Sequence, residues 1–172
     1  MWTQDESRFG LITVQRRRLT LRGIPPLAPS QHELECSYLY GCVEPLTGKS
    51  FFLAVPALDS ELCQLFLDQF AQTDETALHL VALDNGPAHI AHHLSVPANV
   101  RLVFTPPYTP EVNPMERVWE DLVARIAGAT PATLDALVDL LFAELRAYTP
   151  AQLASLTGDP FFKDAINEVS SM

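Results

Sequence analysis

Three acidic residues at the ends of apolar stretches, Asp5, Asp84 and Glu116, are the side chains of this sequence best suited to joint chemistry. Asp5 stands near the start of the first strand-like stretch. Asp84 is the first residue after the apolar run that ends at Leu83, and Glu116 lies one turn into a helical pattern beginning near Asn113. Strand ends pointing the same way, with a helix packed across them, bring such carboxylates together. Clustered carboxylates cannot all stay ionised without positive charge among them. Hard divalent ions with a preference for oxygen, Mg²⁺ or Mn²⁺, are the natural partners. Two such ions ~4 Å apart can activate a water and stabilise the leaving oxygen of a phosphodiester. Each acid also has a purely structural reading. Asp5-Glu6 can be a solvated terminus, Asp84-Asn85-Gly86 is a turn signature, and Glu116 fits the third position of a capping box opened by Asn113 and Pro114.

Other residues are candidates for supporting roles. His89, His92 and His93 fall at i, i+3 and i+4, the spacing of one helical face, but no cysteine lies near them in sequence to complete a zinc site. Asn85 can hydrogen-bond a carboxylate or a phosphate, or serve only in an Asx-turn. Tyr108 sits in a rigid Pro106-Pro107-Tyr108 segment and can stack on an extruded base or simply pack. Arg16, Arg17 and Arg18 are the best candidates for phosphate contact, with a solvated hairpin edge as the plain alternative. Ser7 has no evident base partner, which argues against a serine nucleophile.

The elements that must position these residues can be read from periodicity. Phe9 to Val14, Arg18 to Leu21, Tyr38 to Val43 and Phe51 to Val55 read as strands, the last two joined by a hairpin at Pro45-Leu46-Thr47-Gly48. From Ser60 the period changes, and Leu62, Leu65, Phe66 and Phe70 mark an amphipathic helix. Leu78 to Leu83 and Val100 to Phe104 are two more strands, with room for a short helix between them. Met115, Val118, Trp119, Leu122, Val123 and Ile126 form one helical stripe; Leu134, Leu137, Val138, Leu141 and Leu145 form a second. Thr130-Pro131, Thr149-Pro150 and Asp159-Pro160 each read as a helix start. The order predicts an α/β fold, a mixed sheet covered by helices. Its early strands should be antiparallel, and its later two parallel to the first.

Composition bounds the class. The chain has 172 residues, 48% hydrophobic and 19% charged, which excludes a disordered or collagen-like polymer and suits one domain. No apolar run approaches the ~18 residues of a membrane span. No secretory signal is visible at Met1 to Glu6, and three cysteines without paired spacing read as reduced thiols of a cytoplasmic protein. The net charge of −10 is opposite in sign to a typical free-standing DNA-binding domain. Nucleic acid would therefore be contacted locally, or through another module.

The local wording of two blocks goes further. Leu83-Asp84-Asn85-Gly86-Pro87-Ala88-His89, followed by Pro107-Tyr108-Thr109-Pro110-Glu111-Val112-Asn113-Pro114-Met115-Glu116 before Trp119, resembles the DDE superfamily endonucleases, the catalytic domains of mariner-related insertion-sequence transposases. Gln4-Asp5-Glu6-Ser7 resembles that family's first-aspartate strand. The resemblance spans roughly residues 1 to 145. It implies a ribonuclease-H-like five-stranded sheet, with Asp5, Asp84 and Glu116 as the catalytic triad and the ligands of two Mg²⁺ or Mn²⁺ ions. It further implies DNA as substrate, both element ends and target, and a homodimer in the active complex. His89 would sit beside the site, with Asn113 in the block that delivers Glu116. Two features depart from the family pattern. Leu19 and Leu21 stand where a tryptophan is usual, and only four residues precede Asp5. The chain therefore reads as a catalytic half whose helix-turn-helix DNA-binding module is supplied separately, with a truncated, non-catalytic relic or interaction module as the alternative.

Overall fold

The computed structural model describes residues 1–14, 20–24, 30–91, 94–106, 113–158, 160 and 164. Five strands, β1 (Trp2–Ile12), β2 (His32–Val43), β3 (Ser50–Val55), β4 (His79–Leu83) and β5 (Val100–Phe104), form one sheet in the order β3-β2-β1-β4-β5. β1–β2 and β2–β3 pair antiparallel, whereas β1–β4 and β4–β5 pair parallel. The mixed sheet expected from the sequence is the one formed.

Helix α1 (Ser60–Ala71) covers one face of the sheet; α2 (Met115–Ile126), α3 (Leu134–Ala147) and α4 (Pro150–Thr157) cover the other. Each face carries its own core. Phe66, Phe70 and Cys63 of α1 pack with Trp2, Tyr40, Val81 and Val100. Met115, Val118, Trp119 and Leu122 of α2 pack with Phe9, Leu11, Leu39 and residues of α3 and α4. The α2 positions recur at i, i+3, i+4 and i+7, so one stripe of the helix is buried, at about 1.5–3 kcal/mol for each large side chain. Among the described residues no helix is long and apolar enough to cross a membrane. The three cysteines are unpaired; Cys42 and Cys63 are buried.

Several local expectations change. β1 starts at Trp2, so Asp5 lies inside the strand rather than at its junction. Thr20 and Leu21 belong to no strand, and Arg18 and Leu19 lie outside the described residues. The inward face of α1 is Cys63, Phe66, Leu67 and Phe70, with Leu65 exposed. A one-residue rotation suffices, because Leu62–Cys63 and Phe66–Leu67 offer apolar choices on either side. Residues 87–90 form turns rather than a helix. Thr133, not Thr130, caps α3, its side chain accepting from the Ala136 N–H. Thr149 caps α4 in a full capping box with Gln152, as Thr-Pro predicts. Asp159 lies outside the described residues.

Candidate active site

β1 and β4 run parallel, with Trp2 beside Val81 and Thr3 beside Ala82. Continuing that register by two residues sets Asp5 beside Asp84, at the ends where both strands leave their pairing. Residues 79 apart in sequence thus become neighbours through parallel pairing alone.

Asp5 points to the α2 face, where its Oδ2 accepts the indole N–H of Trp119 at 2.9 Å. The indole is clamped edge-on by Phe9 and Phe52, with ring centroids at 6.2 and 6.0 Å. Gly41 makes this possible. It lies directly across β2 from Asp5, and a Cβ there would stand 2.6 Å from the Trp119 ring and 2.8 Å from Phe52. Burial raises the Asp5 carboxyl to about 7, helped by the charges of Glu6 and Asp84, against the hydrogen bonds from the Glu6 backbone and Trp119. Asp5 is therefore a carboxylate short of positive charge.

Asp84 is open to solvent, its side chain 62% exposed. Its Oδ1 accepts the Gly86 backbone N–H at 2.8 Å, an Asx-turn, and the His89 Nδ1–H at 2.9 Å. Gly86 is the residue that fits here, since a Cβ would lie 3.0 Å from Asp84 Oδ1 and 3.2 Å from His89 Nδ1. The other ring nitrogen of His89, Nε2, donates to Glu6 Oε1 at 2.5 Å. His89 is 5% exposed. Burial alone would lower its pKa, but the hydrogen bond and charge of Glu6, then Asp84, prevail and raise it to about 9. With carboxylates at both nitrogens, the ring is an imidazolium donating twice.

Glu116 lies in the first turn of α2, exposed. Pro114 occupies the cap position without a side-chain cap bond, and the Asn113 Oδ1 accepts the Met115 N–H at 3.1 Å just ahead of it. Glu116 does not return the bond: among the described residues no hydrogen bond or ion pair engages its carboxylate, so the capping-box reading of Glu116 fails. It lies three residues before Trp119, on the helix that touches Asp5, and positions i and i+3 share a helical face. Among the described residues no three His, Cys, Asp and Glu side chains gather closely enough to cage an ion. The structure thus bonds Asp84 to His89, sets the charge of Asp84 near enough to act on Asp5, and leaves Glu116 one helical turn from Asp5's hydrogen-bond partner.

Asn85 is a tie rather than a free ligand. Its Nδ2 donates to the Thr105 carbonyl at 2.8 Å, joining the loops after β4 and β5. The Asx-turn suggested for it belongs to Asp84. Tyr108, Arg16, Arg17, Arg18, His92 and His93 lie outside the described residues. Sequence reasoning missed Glu6, Trp119 and Gly41 as parts of the site. Alternation along β1 was the available signal for the first: of two adjacent acids on one strand, only one can share a face with Asp84.

A mixed sheet ordered β3-β2-β1-β4-β5 with helices on both faces is the ribonuclease-H-like fold. The family model described as DDE superfamily endonuclease matches residues 1–138, and the chain belongs to that family. The uncharacterized protein y4pE/y4sA of Sinorhizobium fredii (strain NBRC 101917 / NGR234) is 38% identical over 85 residues, covering 49% of this chain and 63% of that protein. Among solved structures, the Mos1 transposase paired-end complex with left transposon end superimposes with a TM-score of 0.71 at 12% identity, over 91% of this chain and 51% of that one. The mariner Mos1 paired-end complex with Mg gives a TM-score of 0.66 at 12% identity over the same shares. The chain spans about half the length of the Mos1 chains that it matches.

Proposed function

We propose that this chain is the catalytic domain of a transposase. It would hydrolyse DNA phosphodiesters at the ends of a mobile element and join the freed 3′-hydroxyl to target DNA. The observation that supports this reading is the β1–β4 register, which, carried two residues past Thr3–Ala82, points Asp5 and Asp84 to one another, while burial and the charges of Glu6 and Asp84 raise the Asp5 carboxyl to about 7. Two crowded carboxylates, one desolvated and one open to solvent, suit a hard divalent cation, which would relieve the charge deficit that lifts Asp5. When bound, Mg²⁺ or Mn²⁺ supplies an activated water or hydroxyl and positive charge at the leaving oxygen.

The chain's own residues divide the remaining work. Trp119 holds Asp5 Oδ2. The Asx-turn and His89 together hold Asp84 Oδ1, leaving Oδ2 outside these bonds. Glu116, unengaged at the start of α2, is the third ligand. Asn113 starts the helix that carries it. Asn85 holds the two strand-end loops together, and Arg16, Arg17, Arg18 and Tyr108 are proposed DNA contacts. With a net charge of −10, DNA affinity would come chiefly from a separate DNA-binding module and from assembly as a dimer.

Calorimetric titration of Mn²⁺ into the chain and into Asp84→Asn tests this reading. We expect binding by the wild type and at least ~10-fold weaker binding by the variant, since a charged ligand is lost. Equal binding by both would refute the assignment.

A further inference from the structure

We infer that Glu6 is a positioning residue for Asp84, acting through His89 from the opposite face of the sheet. The inference rests on the reading of Asp84 as an ion ligand. Glu6 directly follows Asp5, yet strand alternation sends it to the α1 face, where its cross-strand neighbour is the buried Tyr40. Its side chain is only 12% exposed. Glu6 Oε1 accepts from Gln4 Nε2 at 3.1 Å and from His89 Nε2 at 2.5 Å, 83 residues away in sequence. His89 Nδ1 then donates to Asp84 Oδ1 at 2.9 Å and to the Asp84 backbone carbonyl at 3.2 Å. The chain Gln4–Glu6–His89–Asp84 is continuous. It begins in a buried strand position and ends on the solvent-open Asp84.

Two considerations argue that this chain does more than fill space. A buried ion pair is seldom kept for stability, because desolvating both charges offsets much of their attraction. The same face also buries the Gln4 Oε1 and Tyr40 hydroxyl without partners among the described residues, so polar atoms are carried there at a cost. What the arrangement does provide is direction. The Asx-turn fixes Asp84 Oδ1 through the Gly86 backbone N–H, and His89, in the turn at 87–90, fixes the same oxygen by a second bond. The imidazole ring is itself oriented by Glu6. A carboxylate pinned at one oxygen presents the other along a set line, the role that outer hydrogen-bond partners play for metal ligands.

Mn²⁺ binding to the full chain, followed by the loss of the free-ion electron paramagnetic resonance signal, tests this without any DNA substrate. Glu6→Leu removes the acceptor, while Glu6→Gln keeps an oxygen for His89 Nε2–H. We expect Glu6→Leu to weaken Mn²⁺ binding ~10–100-fold and Glu6→Gln to restore most of the loss. Wild-type affinity in folded Glu6→Leu would overturn the inference, as would an equal loss in both variants. Should Glu6→Leu fail to fold, His89→Gln breaks the chain at its next link and must show the same weakening; wild-type affinity there would be equally fatal. Absence of Mn²⁺ binding by the wild type would instead remove the ion-ligand reading beneath this inference.

Discussion

On the α2 face of β1, Asp5 lies against the indole of Trp119 and carries a carboxyl raised to about 7. On the α1 face, one residue later, Glu6 is bonded to a buried imidazole raised to about 9. Both acids are largely removed from water. They differ in what faces them: a neutral N–H donor in one case, a cation in the other. Asp5 is left electrostatically unsatisfied, whereas Glu6 is satisfied by His89. The difference teaches that the pleat of a single strand can separate a group poised to receive positive charge from one that already has it. Of the two, Asp5 is the group with a deficit for an ion to fill.

Rising pH should separate the two faces by the widest margin. Asp5 binds its proton more tightly folded (about 7) than its ordinary value of 3.8, so the stability it contributes is present in acid and is lost as pH rises through about 7. His89, raised from 6.5 to about 9, contributes stability that persists higher and is lost as pH rises through about 9. Melting temperature in chelator should therefore fall in two stages with rising pH. Asp5→Asn should abolish the lower stage and spare the upper; His89→Asn should do the reverse. A single stage removed by either substitution would mean that the two faces titrate as one unit.

Gly41→Ala probes the Asp5 face alone. The new methyl would stand 2.6 Å from the Trp119 ring and 2.8 Å from Phe52, so the indole must shift. Overpacking of this kind costs about 1–3 kcal/mol, a drop of roughly 2–12 °C in melting temperature for a chain of this size. The His89 stage of the pH profile should survive while the Asp5 stage moves. Chemical denaturation across pH would show whether the two stages separate in this way.

How much of this was legible beforehand follows from what each feature depends on. Strand and helix periods are local, so the Val100–Phe104 strand and the α2 stripe fell where the spacing put them. The mixed topology followed from chain order. The face of α1 did not, because adjacent apolar residues make two rotations nearly equivalent. Asp84 and Asp5 were nameable as a pair, but their juxtaposition depends on a parallel register. The opposed roles of Asp5 and Glu6 depend on which face of β1 meets which helix. Gly41 was illegible for the same reason: its lack of a side chain matters only because Trp119, 78 residues on, lies over it.

Glu116→Gln should produce the smallest change in stability and is the most discriminating against a structural role. A capping-box glutamate would bond the backbone N–H at the helix start, yet the side-chain bond there is from the Met115 N–H to Asn113 Oδ1, and the Glu116 carboxylate is exposed and unengaged among the described residues. Its remaining local contribution is the attraction of a negative charge to the helix N-terminus, about 0.3–1 kcal/mol at low salt and less when screened. Gln removes that attraction, so the melting temperature in chelator should fall by at most ~4 °C, and by less in salt. The two faces of β1 predict where the substitution will be felt. On the proposed reading, in which an ion joins the Asp5 face, it should lower the melting-temperature gain conferred by Mn²⁺ and leave the His89 stage of the pH profile where it was. A Glu116→Gln protein that gains as much from Mn²⁺ as the wild type would confine the ion site to Asp5 and Asp84, and reduce Glu116 to a solvated helix start.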